Sequence, residues 1–313
     1  MFVNSIDNIK VLILSILFIV SSFLLLIKIS PHAFVIFNSI PLLIVGLILG
    51  LKYIFYVFLG SGIILTLISN FYFLNSETAI NLQILIIFLG IFFVSFALLF
   101  LIKNNLKNFS KSTGAIVSKY IFLISSTLLI FFYNNNYELN LDLFTDEMKK
   151  IYNLQFAKEN VSTKIQIDKL INIFIKILPS IYISFLFFIT IFNLKISENI
   201  LRNLNFKKFN RVSFKNFQIP NWTFFSFIVF FILASTLSDF LQTLFLNLTI
   251  IFSSIFILSG FIRVLEFFEK YNINLFLKII ILFLLFIFFS YVLLLLLFIL
   301  GLSKHLRKVL NSN

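Results

Sequence analysis

The sequence contains no cysteine and has few histidine, proline and acidic residues. The absence of cysteine excludes disulfide bonds, thiolate metal sites and cysteine nucleophiles. The two histidines, His32 and His305, lie near opposite ends of the chain and do not by themselves indicate a metal site, so we expect no cofactor. Charged side chains make up 12% of the residues, about half the ~25% typical of soluble domains, which excludes a water-soluble fold.

Apolar residues are what the chain has in excess. They make up 60% of the sequence, and the mean hydropathy is +1.08. The 47 phenylalanines are spread over the whole chain, which indicates a composition bias rather than an aromatic site. Apolar runs long enough to span a bilayer alternate with short polar segments. We therefore predict an all-α membrane protein, a polytopic bundle of about eight or nine transmembrane or re-entrant helices in a single integral membrane domain, residues 1–313.

Two of the apolar runs are too long for one span. As a single helix, residues 33–69 would be about 55 Å long, whereas the hydrocarbon core of a bilayer is roughly 30 Å thick. We predict a turn at Lys52 in this run and a second turn near residues 238–242 in the run 222–262. The predicted spans are 11–27, 34–51, 53–70, 82–102, 116–133, 171–194, a pair within 222–262, and 275–302.

The distribution of basic residues predicts the orientation of the chain. Six of the 25 Lys and Arg residues lie between Lys195 and Lys215, opposed only by Glu198. Since cytoplasmic loops retain Lys and Arg, loop 195–220 and the basic loop 103–119 are predicted to be cytoplasmic. The nearly neutral segment 134–170 is then an external interfacial loop. We expect a multi-pass protein of the bacterial inner membrane with a cytoplasmic N-terminus. The net charge of +13 follows from these loops, so we expect no nucleic-acid partner.

One conflict remains in this topology. Nine crossings from a cytoplasmic N-terminus would place the tail with Lys304, Arg307 and Lys308 outside, against the same charge rule. We favour a re-entrant or half-spanning segment within one of the short pairs, and the count of eight or nine stays open.

Short motifs recur at the ends of the predicted spans. They are Ile40-Pro41, Leu178-Pro179, Asn193-Leu194, Pro220, Ser259-Gly260-Phe261, and Leu300-Gly301-Leu302 followed by Arg307. On these motifs the chain resembles the YybS-like family of bacterial membrane proteins, whose function is unknown. That family is distantly similar to the substrate-binding membrane subunits of energy-coupling-factor vitamin transporters and to the rod-shape protein MreD. The resemblance implies no catalytic residues.

Two candidate sites lie within the apolar runs. Asp239 is the only charged residue of 222–262, and a carboxylate at membrane depth is a candidate ligand or ion contact. The alternative is a hydrated turn between two helices. The second candidate is an interrupted-helix region that contains Pro41, Gly46, Gly50, Gly60 and Gly62. Gly/Pro-interrupted spans often form transporter binding sites, whereas Gly46 and Gly50 also have the spacing of close helix packing.

The basic loop is a third candidate site. Four of its side chains form a candidate cytoplasmic contact for anionic lipid or for a membrane-protein partner: Arg202, Lys207, Lys208 and Arg211. The alternative is that they act only as an orientation signal. Asn193, at the end of span 171–194, is expected to cap its helix.

Two functions are compatible with these features. The first is a small-molecule binding or transport subunit, indicated by the interrupted spans and Asp239. The alternative is a non-catalytic membrane scaffold in envelope morphogenesis, indicated by the MreD-like resemblance and by few polar groups inside the spans. We do not expect an enzyme, because the sequence contains no nucleophile–base pattern and no phosphate-binding loop.

Overall fold

The computed structural model describes residues 5–29, 37–72, 78–104, 109–134, 161–204 and 217–310, together with Phe206 and Phe214. Within these residues all regular secondary structure is α-helical. The helices are α1 (Ser5–Ile29), α2 (Ser39–Ile48), α3 (Leu51–Tyr72), α4 (Thr78–Asn104), α5 (Phe109–Asn134), α6 (Val161–Asn203), α7 (Asn221–Thr236), α8 (Asp239–Lys270) and α9 (Leu275–Leu310). The predicted all-α membrane fold is confirmed.

Both long apolar runs are divided by a turn, as predicted. The run 222–262 breaks at Leu237 and Ser238, between α7 and α8. The first run breaks at Gly50, not at Lys52, which already lies in the first turn of α3. Gly50 has φ +102, a conformation that costs glycine little and other residues much, so the turn forms there rather than at the charged residue.

Helix α6 is longer than its predicted span. The apolar span was expected to end at Leu194, but the helix continues to Asn203. The first residues of the predicted basic loop, Lys195–Arg202, are therefore helical, and Leu201 is buried. The reason is that residues 195–203 contain no helix breaker, so hydrogen bonding continues past the end of the apolar run.

Three stretches of described helix are long and apolar enough to cross a membrane: Thr113–Ile130, Ile173–Asn203 and Asp239–Lys270. Helices α2 and α7 are apolar but have only 10 and 16 residues. Most of the predicted external loop 134–170 lies outside the described residues, and so do Lys207, Lys208 and Arg211.

The chain divides into two compact units. Unit 1 comprises Met1–Ile116 and Leu186–Ser213, and unit 2 comprises Val117–Phe185 and Phe214–Asn313. Both units contain parts of α5 and α6. The expected single domain over residues 1–313 therefore stays a prediction.

Unit 1 packs α1, α2, α3 and α4 around buried aliphatic side chains. Glycines allow two of these helices to approach their neighbours. A Cβ added to Gly46 of α2 would meet the side chains of Leu99 and Ile54, and one added to Gly60 of α3 would lie 2.8 Å from the Cδ1 atom of Ile16. The side chains of Leu43 and Val57 are fully buried in the same unit.

Unit 2 packs α8 against α7 and α9 through aromatic rings. Phe256 of α8 is fully buried, and its ring centroid lies 5.4 Å from that of Phe227 and 5.9 Å from that of Phe298. Such edge-to-face contacts contribute about 0.5–1.5 kcal/mol each beyond the area that they bury. These phenylalanines therefore form part of the packing between α7, α8 and α9.

Candidate functional site

Polar side chains in unit 1 meet at the N-terminal end of α2. Ser22 of α1 donates a hydrogen bond to Asn38 Oδ1, and Asn193 Nδ2 of α6 donates to Ser39 Oγ at 2.5 Å. Ser197, one turn after Asn193, has its Oγ 2.8 Å from the Asn193 carbonyl oxygen and 3.4 Å from that of Ile40. We call Ser22, Asn38, Ser39, Asn193 and Ser197 the α2 cluster.

The α2 cluster is inaccessible to solvent. Asn38 is 1% exposed and Asn193 is 0% exposed, and the three serines are also buried. Asn38 Nδ2 has no hydrogen-bond partner among the described residues. Leaving a buried donor unsatisfied costs about 1–3 kcal/mol. The cluster therefore holds a donor that a bound group with an acceptor atom would satisfy.

The chemistry of the α2 cluster is uncharged. Its five side chains are hydroxyls and carboxamides, which offer both donors and acceptors. A helix N-terminus often binds anions through free backbone N–H groups. At α2, however, the Ile40 N–H donates to the Phe37 carbonyl oxygen at 3.0 Å, and Pro41 has no N–H. This helix end is therefore better suited to a neutral hydrogen-bonding group than to an anion.

The predicted interrupted-helix region lies beside the α2 cluster. Pro41 is buried in the first turn of α2, where its missing N–H is tolerated. Gly46 and Gly60 have packing contacts, Gly50 forms the turn, and the carbonyl oxygen of Gly62 accepts a hydrogen bond from Thr66 Oγ1. Whether these residues contact a ligand stays a prediction.

Asp239 lies in unit 2, whereas the α2 cluster lies in unit 1. It is the first residue of α8, it is exposed, and its φ is +57. Asp and Asn adopt this left-handed conformation more readily than other non-glycine residues, which favours a turn at this position. Its carbonyl oxygen accepts a hydrogen bond from Thr243 Oγ1 at 3.1 Å. The proposed role of Asp239 in ligand binding stays a prediction.

The described part of the basic segment lies on the last turns of α6. Arg202 is exposed, and Lys195 Nζ lies 3.3 Å from Glu198 Oε2. The Glu198 side chain is 6% exposed and that of Lys195 is 51% exposed. A half-exposed lysine therefore pairs with a buried carboxylate, one residue from Ser197 of the α2 cluster. Contact of this segment with lipid or a partner stays a prediction.

Comparison with protein families identifies a match over most of the chain. Residues 12–303 match the family described as "Predicted membrane protein (DUF2232)". The chain belongs to this family. Comparison with curated proteins and with solved structures found no match. The integral membrane character of the protein thus follows from both its family and its apolar helices.

In this member of the DUF2232 family, two of the sequence motifs meet. Gly260 of α8 and Gly301 of α9 face each other in unit 2. A Cβ on Gly260 would overlap the Leu297 carbonyl oxygen, and one on Gly301 would overlap the Phe256 carbonyl oxygen. Next to this contact, Arg263 Nη1 donates to Ser303 Oγ at 3.1 Å. These motifs therefore bring two helix backbones together.

Two buried asparagines were not anticipated in their actual roles. Asn193 was expected to cap the end of a span, but it lies inside α6 and reaches α2, because the helix continues for ten more residues. Asn247 of α8 is also buried and bonds to α6. The expectation of few polar groups inside the spans, which favoured a scaffold, is therefore wrong. The available signal was that each asparagine interrupts a long apolar run, where an amide needs a partner.

Proposed function

We propose that this protein is a small-molecule binding or transport subunit of a bacterial inner membrane, and that the α2 cluster contacts the ligand. The observation that carries the proposal is Asn38 Nδ2, a buried amide donor with no partner among the described residues. Buried polar groups are nearly always hydrogen-bonded, so a donor of this kind points to a bound acceptor. Binding or transport of a small molecule at this site requires no chemical reaction.

The short helix α2 supports the same proposal. With 10 residues it is about 15 Å long, half of the roughly 30 Å bilayer core. In transporters, substrate sites typically form where a short or interrupted helix ends inside the protein. The resemblance to YybS-like proteins, and more distantly to energy-coupling-factor substrate-binding subunits, agrees with this role.

The ligand of this site is proposed to be an uncharged molecule with a carbonyl or hydroxyl oxygen. A charged ligand would need a compensating charge, because an unpaired ion in a buried apolar environment is strongly disfavoured. None of the five side chains of the α2 cluster can supply one. A neutral acceptor needs only the Asn38 amide.

Replacing Asn38 with alanine is expected to lower ligand retention about tenfold, the effect of losing one hydrogen bond of about 1–1.5 kcal/mol. The measurement is mass spectrometry of small molecules extracted from the protein after purification in mild detergent. Ser22→Ala removes the hydrogen bond to Asn38 Oδ1 and is expected to lower ligand retention by a smaller factor.

Ser21→Ala is the matched control. Ser21 Oγ and Ser22 Oγ lie 3.0 and 2.9 Å from carbonyl oxygens three residues earlier in α1, but Ser21 is exposed and only the Ser22 hydroxyl donates to Asn38 Oδ1. Ser21→Ala should retain the ligand at the wild-type level. Equal small-molecule content in wild-type and Asn38→Ala preparations would contradict the proposal.

The scaffold would then be favoured, and it predicts a crosslinked membrane-protein partner that is lost when the basic residues of 202–215 are neutralised.

We also propose that α7 enters the membrane without crossing it, because its 16 residues are about 24 Å long whereas the bilayer core is roughly 30 Å thick. The other eight described helices would then bring the C-terminus back to the side of the N-terminus. The basic tail with Lys304, Arg307 and Lys308 would be cytoplasmic, in agreement with the positive-inside rule.

A reporter fused after Asn313 is expected to lie in the cytoplasm. Green fluorescent protein at this position should fluoresce, and alkaline phosphatase should be inactive. Fusions within 134–170 provide the control and should give the opposite result. Phosphatase activity after Asn313 would mean that all nine described helices cross the bilayer, or that another segment reverses the topology, and it would refute a half-spanning α7.

A further inference from the structure

Asn247 links two helices of unit 2 through both ends of its side-chain amide. It is 0% exposed and lies on α8. Its Oδ1 accepts a hydrogen bond from the Ser180 backbone N–H at 3.1 Å, and its Nδ2 donates to the Lys176 carbonyl oxygen at 2.8 Å. The same Nδ2 donates to the Thr243 carbonyl oxygen of α8 at 2.9 Å. The amide therefore has partners on α6 and on its own helix.

The two backbone groups that Asn247 contacts are partners in a regular α-helix. The N–H of residue i bonds to the carbonyl of residue i−4, so Ser180 and Lys176 would close one turn of α6. Pro179 lies between them, inside the helix. Its ring removes one hydrogen bond and displaces the carbonyl of the preceding turn. The Asn247 carboxamide carries a donor and an acceptor, like a peptide group. In the turn loosened by Pro179 it can therefore pair with both the Ser180 N–H and the Lys176 carbonyl oxygen.

This arrangement has an alternative with one hydrogen bond fewer. If the Asn247 side chain withdraws, the Ser180 N–H can bond directly to the Lys176 carbonyl, and Asn247 keeps its bond to Thr243 on α8. The backbone groups, which need partners within a membrane, are satisfied in both arrangements. The two states differ mainly in one bond to Asn247 Oδ1. A difference of one hydrogen bond makes the closed state a minor population, which is the requirement for a two-state element.

We propose that Asn247 is a latch that holds α6 open and bent at Pro179, and that its release lets this turn close. Sharp helix bends occur at prolines and where a side chain inserts into the hydrogen-bond ladder, and both conditions are present here. The latch involves only residues of unit 2 and is independent of the ligand contact proposed for Asn38. It gives the protein a hinge within an apolar stretch, Ile173–Asn203, that is long enough to cross the membrane.

The absence of cysteine permits a direct test on the full-length protein. Ile173 of α6 and Phe240 of α8 are 53% and 57% exposed in unit 2, and cysteines placed there would be the only two thiols for spin labels. A bend of about 20° at Pro179 displaces a label six residues away, about 9 Å along the helix, by about 3 Å. Double electron–electron resonance in lipid nanodiscs resolves such a shift.

Asn247→Leu, which keeps the size of the side chain but cannot bridge, should shift the main distance by about 3 Å relative to the parent. Pro179→Ala, on the other helix, removes the cause of the loosened turn and should shift the distance to the same value. Thr243→Val is the control, because the Thr243 side chain bonds to Asp239 on its own helix, and its distances should not change.

Unchanged distances in a folded Asn247→Leu protein, or shifts to different values in the two variants, would overturn the proposal. Folding is checked by helical circular dichroism and by a monodisperse elution profile. If Asn247→Leu does not fold, Pro179→Ala decides the question. An unshifted distance in that variant would mean that Pro179 and Asn247 do not hold this turn open.

Discussion

Replacing Gly260 with alanine is expected to destabilise unit 2 by about 3 kcal/mol, the upper part of the range for overpacking. The added Cβ would overlap the Leu297 carbonyl oxygen of α9. A flexible side chain can turn away from such a contact, but a carbonyl oxygen moves only with its helix. Gly301→Ala should have a similar effect, because its Cβ would overlap the Phe256 carbonyl oxygen of α8.

The measurement is the fraction of protein that elutes as a monodisperse peak after heating in detergent, with the midpoint temperature compared between variants. Gly90→Ala is the control. Gly90 lies inside α4, and a Cβ there would have no atom within 4 Å. Alanine is the better helix former by about 1 kcal/mol, so this control should be as stable as the parent or more stable. Equal midpoints for Gly260→Ala and Gly90→Ala would contradict the close approach of α8 and α9.

Gly50→Ala is expected to destabilise unit 1 by about 1–3 kcal/mol through backbone strain alone. A Cβ at Gly50 would also meet nothing within 4 Å, but the residue has φ +102. The same heating experiment compares Gly50→Ala with Gly90→Ala. Both positions have free space for a methyl group and differ in backbone conformation, so the difference in midpoint isolates the strain. Identical midpoints would show that the turn between α2 and α3 does not require glycine.

The division of the chain into helices was largely predictable. An apolar run longer than a bilayer is thick must turn, which correctly divided residues 34–70 and 222–262. The position of the first turn was wrong by two residues, because charge at Lys52 was given more weight than the conformational freedom of Gly50. The end of α6 was also wrong, since hydropathy marks the end of an apolar run and not the end of a helix.

The candidate site was only partly predictable. The interrupted region around Pro41 was recognised from its glycines and proline, and it does lie beside buried polar side chains. Their identities were not recognised, since Ser39 and Asn193 are separated by 154 residues in the sequence. An asparagine in an apolar run indicates that a partner exists, but the run does not indicate which helix provides it.

The sequence by itself determined that this is a helical membrane protein, and where most of its helices lie. The physical reason is that the bilayer sets the length and the apolar composition of each spanning helix, and consecutive residues must provide both. Only the tertiary structure decided that Gly260 meets Gly301 and that Asn247 meets the turn at Pro179. These contacts depend on how each helix is rotated about its axis. Helices that are apolar on nearly every side carry little sequence information about that rotation.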